Sequence, residues 1–138
     1  SAGALYPLEV YIVAGQVTGL PPAVYHYLPD GHRVTWTLDG DRRDRLAGAA
    51  LGQSVVRDGA AVFVFTAFYE RTTVKYGARG ERYVWLEAGH AAQNLCLEAT
   101  ALGLGSVPVG AFDDERVSEI LGLDRQEQPL YLVPVGRK

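Results

Sequence analysis

The sequence predicts an α+β fold in one domain of 138 residues. Three observations carry that reading. Short β-rich runs recur along the chain, bounded by Gly and Pro. One pattern of helical period continues over residues 82–102. A Pro-Asp-Gly turn separates two runs of strand-forming residues.

Residues 8–14, Leu-Glu-Val-Tyr-Ile-Val-Ala, are β-rich and close at Gly15, so they read as a strand. Residues 24–28 and 33–38 flank Pro29-Asp-Gly-His32, where Pro followed by Asp-Gly predicts a hairpin. A short helix is expected over residues 41–51, with Asp39 or Asp41 as its N-cap. Residues 60–67 are almost wholly apolar, the pattern of a strand buried on both faces. Residues 68–79 mix aromatic and basic side chains and are expected to start as an irregular segment. The long helix over 82–102 spans roughly 30 Å at 1.5 Å per residue, with Gly103 as its stop. A second helix is expected over 113–121, capped by Asp113 or Asp114 and stopped by Gly122. Residues 129–135 form a last strand, whose Pro134 suits a sheet edge or a strand end.

The long helix carries its own pattern. Glu87, His90, Asn94 and Glu98 follow one another at intervals of three and four residues, which makes one narrow polar stripe. The rest of its circumference is apolar or small, including Val84, Trp85, Leu86, Ala88, Leu95 and Leu97. So wide an apolar surface fits a subunit interface, or a central helix with one wet side.

Bulk properties bound the function. Net charge is −3 and no Lys/Arg block occurs, which argues against nucleic acid or an anionic membrane as main partner. Cys96 is the single cysteine, so no intrachain disulfide and no cysteine zinc cluster can form. That agrees with a reducing cytoplasm. His26, His32 and His90 lack metal-ligand spacing, and no metal is expected. No run approaches the ~20 apolar residues of a membrane span, and no secretory signal pattern opens the chain. Methionine is absent and the chain opens at Ser1 inside a motif; removal of an initiator methionine is one explanation, and missing upstream sequence is the expectation.

Three segments can carry chemistry. The long helix runs into Leu102-Gly-Leu-Gly-Ser-Val-Pro-Val-Gly110, either a simple C-cap and turn or bare backbone offered to a flat cofactor. It is neither a dinucleotide-binding fingerprint nor a P-loop. Ser1-Ala-Gly-Ala-Leu-Tyr-Pro7 can present Ser1 Oγ and main-chain N–H groups to a polar ligand, or be an ordinary terminus. Lys75-Tyr76 lies between Arg71 and Arg79. A lysine near other cations can act as a base, although two surface residues in a basic loop fit the same letters.

Together these segments resemble the nitroreductase-like flavin enzymes and, within them, the SagB-type oxidases of thiazole/oxazole-modified peptide pathways. The resemblance runs in order through residues 1–9, Val24-Tyr-His-Tyr27, Lys75-Tyr-Gly-Ala-Arg-Gly80, Leu86-Glu-Ala-Gly-His-Ala-Ala-Gln-Asn94, Ala101-Leu-Gly-Leu-Gly105, Val109-Gly-Ala-Phe-Asp113 and residues 129–137. It implies a central, mostly antiparallel sheet packed by the long helix, a homodimer joined through that helix, and FMN between the subunits. By the same resemblance Ser1, Ala2, Gly3 and Leu5 would line the flavin. Val109 and Gly110 would lie by its ring system, and Arg137 would reach its phosphate. Lys75 and Tyr76 would be catalytic, taking a proton while an azoline ring of a peptide is oxidised to an azole. A peptide or small-molecule substrate and a cyclodehydratase partner follow from the same likeness. The amino-terminal helices of the family, with their phosphate-gripping residues, have no counterpart before Ser1. Weak or absent FMN retention by these 138 residues alone is therefore expected. Two other functions stay open: an NAD(P)H-dependent nitroreductase or flavin reductase, and a non-catalytic member.

Overall fold

The computed structural model describes residues 1–137. In chain order its elements are β1 (Leu8–Ala14), β2 (Ala23–Leu28), β3 (Arg33–Asp39), α1 (Arg43–Ala49), α2 (Ser54–Asp58), β4 (Ala61–Phe68), α3 (Glu70–Tyr76), α4 (Arg79–Ala101), β5 (Leu104–Ser106), α5 (Asp114–Leu121) and β6 (Glu127–Arg137). The six strands form one sheet in the order β3-β2-β1-β4-β6-β5, with every neighbouring pair antiparallel.

Side-chain alternation sorts the sheet into two buried faces. On one face Val13, Val24, Val62, Val64 and Leu132 pack with Leu46 and Ala49 of α1, Val56 of α2, and Val117, Ile120 and Leu121 of α5. On the other, Phe65 and Val133 take Ala92 of α4, with Phe63, Tyr131, Leu95 and Cys96 around them. β4 feeds both cores, which explains its unbroken apolar run. In α4 the buried residues Val84, Ala88 and Ala92 recur every four positions, so small side chains bring this helix close to the sheet. Trp85, Leu86 and Leu97 of the same helix stay exposed.

Several punctuation signals hold. Gly31 takes φ +77° in the hairpin turn, where the His32 N–H donates to the Pro29 carbonyl at 3.1 Å. Gly103 and Gly122 adopt positive φ just past α4 and α5. The Asp113 side chain caps α5 by accepting the Arg116 N–H at 3.0 Å.

Other expectations are corrected. Residues 70–76 form α3 instead of an irregular segment. Its Thr72-Thr73-Val74 run is a poor helix former, but α3 gains a partner: at Gly80 of α4 a Cβ would stand 2.9 Å from the Thr73 Cα. α4 consequently starts at Arg79, three residues earlier than the apolar pattern indicates. α2, unexpected from sequence, is too short to show a period and is held through buried Val56. α1 covers 43–49, and neither aspartate is its N-cap. Asp39 ends β3, while Asp41 accepts the Arg43 N–H at 3.1 Å. The glycine-rich turn after α4 contains β5. Pro134 is not in an edge strand, because β6 lies between β4 and β5. It is tolerated where β5 has ended, since Ser106 pairs with Val135 and only the Pro134 carbonyl accepts a bond, from the Val107 N–H.

Among the described residues no helix is long and apolar enough to cross a membrane, and no group of three or more His, Cys, Asp or Glu side chains is placed to hold a metal ion.

Candidate active site

Residues 1–6 form a tight loop ahead of β1. Ala2–Ala4 make a single 3-10 turn closed by the Ala4 N–H on the Ser1 carbonyl at 3.1 Å. The Ser1 hydroxyl accepts the Tyr6 N–H at 2.9 Å and donates to Glu87 Oε2 of α4 at 2.9 Å. Gly3, Ala4 and Tyr6 all have positive φ, at +65°, +54° and +47°. Glycine takes that conformation freely, whereas Ala and Tyr are strained there.

α3 lies over this loop. A Cβ built on Gly3 would stand 2.6 Å from Tyr76 Oη and 3.0 Å from Lys75 Nζ. Two segments some seventy residues apart thus meet, and a Cβ at Gly3 would require the tips of the Tyr76 and Lys75 side chains to shift. Lys75 closes the last turn of α3, with Gly77 at φ +57° ending the helix. The Lys75 ammonium lies 5.4 Å from the centre of the Tyr76 ring, which meets Tyr83 edge-on at 5.1 Å. Among the described residues Lys75 has no carboxylate within ion-pair distance. Arg71, one turn earlier, is engaged by Glu9 Oε1 at 2.6 Å and donates to the Tyr6 carbonyl at 3.0 Å.

A cavity of about 450 Å³ adjoins the loop, lined by Ser1, Ala2, Leu8 and Tyr83 and by Glu87, His90 and Asn94. The polar stripe of α4 therefore faces this cavity. Leu5 is half-buried beside it in sequence.

The remaining candidates sit elsewhere in the chain. Val109 is buried and exchanges two hydrogen bonds with Leu132, of 2.8 and 3.0 Å, which flattens residues 108–110 onto β6. At Gly110 a Cβ would meet the Tyr131 ring at 3.7 Å. Arg137, at the exposed end of β6, lines a second cavity of about 300 Å³ with Gly105, Ser106 and Val107. Among the described residues no hydrogen bond joins this group to Ser1–Gly3, and the two groups line different cavities.

A polar network missed from sequence supports the loop from the sheet. Glu9 Oε2 meets His26 Nε2 at 2.7 Å, and the His26 ring stacks on Tyr11 with centroids 4.7 Å apart. The Tyr11 hydroxyl donates to Glu127 Oε2 at 3.2 Å, and the Thr66 hydroxyl donates to Glu127 Oε1. Glu127 is only 4% exposed, and burial raises its carboxyl above the ordinary range against the pull of those two donors. Burial, then the nearby Glu127 charge, also pushes the Tyr11 phenol up. Alternation along β1 places Glu9 and Tyr11 on one face, but no pattern in residues 124–128 marks Glu127 as their partner.

A family model described as the nitroreductase family matches residues 1–137, nearly the whole chain. The chain belongs to the nitroreductase family. Members of this family are oxidoreductases and generally bind FMN. The α+β sheet and long helix are the nitroreductase fold. The "Putative nitroreductase MJ1384" of Methanocaldococcus jannaschii is 50% identical over 138 residues, which cover all of this chain and 69% of that protein. The microcin B17-processing protein McbC of Escherichia coli is 30% identical over 132 residues, covering 91% of this chain and 48% of McbC. Among solved structures, the E. coli microcin synthetase McbBCD complex with truncated pro-MccB17 bound aligns with a TM-score of 0.86 at 25% identity, covering 100% of this chain and 54% of that one. The nitroreductase-family chain thus spans about two thirds of its archaeal relative and half of McbC.

Proposed function

We propose that this nitroreductase-family chain is the core of an FMN-dependent oxidase of the SagB type, which converts azoline rings in a peptide to azoles. The observation that carries this reading is the meeting of Lys75 and Tyr76 with Gly3. Likeness to the microcin B17-processing protein supports it.

The residues present fit a flat, polar-edged group. Ser1, Ala2 and Gly3 carry little bulk, and the Gly3 main chain lies close to the Lys75 amine and the Tyr76 phenol. FMN would be held by Ser1, Ala2, Gly3 and Leu5 on one side, by the main chain of Val109 and Gly110 on the other, and by Arg137 at the phosphate. The two subunits of a homodimer would supply these two sets, and exposed Trp85, Leu86 and Leu97 of α4 would be covered there. When bound, FMN supplies a two-electron acceptor for hydride. Lys75 would take the proton that must leave the azoline carbon, and Tyr76 would orient the ring by hydrogen bonding. A peptide substrate, a cyclodehydratase partner that would make the azoline, and a cytoplasmic setting complete the reading.

The test is mass spectrometry of an azoline-bearing peptide incubated with flavin-loaded protein and dioxygen. Loss of two hydrogen atoms per ring is expected, and an unchanged mass rejects the assignment. A second reading, an NAD(P)H-dependent nitroreductase, is favoured by the archaeal relative's name and its 50% identity. It predicts nicotinamide oxidation in the presence of a nitroaromatic, with the peptide untouched.

A further inference from the structure

The loop at residues 1–6 holds a conformation that its sequence does not favour. Ala4 and Tyr6 both occupy the left-handed region, and Tyr6 is 65% exposed, so its own packing cannot hold it there. Such strain persists only where the surroundings over-determine it. Two side chains from two different helices do so here. Glu87 of α4 accepts the Ser1 hydroxyl at 2.9 Å, which turns the oxygen's other side to the Tyr6 N–H. Arg71 of α3 donates to the Tyr6 carbonyl at 3.0 Å, while Glu9 at 2.6 Å and the Phe68 ring at 4.5 Å fix its guanidinium. Both main-chain groups of Tyr6 are thus tied, one through each helix. Arg71 and Lys75 stand one turn apart on α3, so the helix that carries the amine also grips the loop lying beneath it.

We propose that Glu87 and Arg71 are positioning residues that hold the Ser1–Tyr6 loop in its strained form, with Gly3 registered under Lys75 and Tyr76. They touch neither reacting atom; they set the distance between the loop and the amine. The proposal deepens the flavin reading, since a preorganised loop loses less entropy when a ligand is bound against it. The loop geometry itself is independent of any flavin.

Hydrogen exchange at the Tyr6 amide, followed by NMR in the flavin-free 138-residue chain, tests this directly. Removing one charge-assisted hydrogen bond in Glu87→Ala is expected to speed exchange by about tenfold or more. Glu87→Gln keeps an acceptor for the Ser1 hydroxyl and should stay within about twofold of the parent. Arg71→Ala should also speed exchange at Tyr6, and the thermal midpoint of each variant separates local release from general unfolding. In parallel, FMN fluorescence quenching should give a weaker complex for Glu87→Ala, recovered in Glu87→Gln. Unchanged Tyr6 exchange in both Glu87→Ala and Arg71→Ala overturns the proposal. Faster exchange with no FMN uptake by the parent chain leaves the clamp standing and shows that these 138 residues alone do not hold the flavin, while the azoline-peptide assay decides the flavin reading separately.

Discussion

Gly3 lies directly beneath Tyr76, so close that a methyl group on its α-carbon would stand 2.6 Å from the phenol oxygen. Gly3→Ala is therefore expected to act twice. The left-handed φ of +65° costs about 1 kcal/mol for any residue with a Cβ, and the overlap must displace the tips of the Tyr76 and Lys75 side chains. Urea unfolding should show a loss of about 1–2 kcal/mol. Oxidation of the azoline peptide should fall further than that loss explains, because the Cβ displaces the Tyr76 phenol and the Lys75 amine directly.

Lys75→Ala separates the two functional readings. If its amine takes the substrate proton, peptide oxidation should drop by about 10²–10⁴-fold while flavin content and thermal midpoint stay at parental levels. Nicotinamide oxidation with a nitroaromatic needs no proton acceptor on the substrate side, so it should survive the same change. Retained peptide turnover in a flavin-loaded Lys75→Ala protein removes Lys75 as the base.

How much of this was legible in the letters depends on whether the information is local. The unbroken apolar run of residues 60–67 announces a strand buried on both sides, and β4 indeed feeds both cores. Gly103 and Gly122 stop their helices because a left-handed residue is needed at those positions whatever the tertiary fold. α3 was hidden because Thr72, Thr73 and Val74 disfavour a helix, and its stabilisation comes from contact with Gly80. The Ser1–Glu87 bond spans 86 positions, and Glu87 in the sequence is one member of a polar stripe with no stated partner. The pairing of Val109 with Leu132 of β6 is likewise a property of the sheet, which no single segment encodes.

Gly15→Ala probes the scaffold away from the site. The Arg43 guanidinium fills the space a Cβ would take at Gly15. It forks onto Asp41, with Nε–Oδ1 at 2.9 Å and NH2–Oδ2 at 2.6 Å, and donates to the Gly59 carbonyl at 2.5 Å. Those hydrogen bonds hold the Asp41 carboxyl below its ordinary range. Arg43 is 8% exposed, and moving its guanidinium aside breaks its bonds to Asp41 and to the Gly59 carbonyl. A loss of about 2 kcal/mol or more is expected in urea unfolding. Exchange at the Tyr6 amide should not respond, since Arg43 contacts neither helix that grips the loop.

Glu127 makes stability depend on pH with a definite sign. Burial raises its carboxyl in the folded state, so the folded chain keeps its proton at pH values where the unfolded chain has released it. In that window the unfolded state binds fewer protons, and unfolding free energy falls as pH rises. The favourable contribution is complete below the ordinary carboxylate range and is lost as pH climbs through the raised value, with a slope of at most about 1.4 kcal/mol per pH unit. Glu127→Gln removes this titration. Its amide can still face Thr66 and Tyr11, because a hydroxyl turns to donate or accept. Urea unfolding of both proteins from the ordinary carboxylate range to neutrality should show the parent losing stability relative to the variant as pH increases. A parent that instead gains on Glu127→Gln over that range would mean the carboxylate is held charged by Tyr11, Thr66 and His26, and that desolvation is the weaker force at this position.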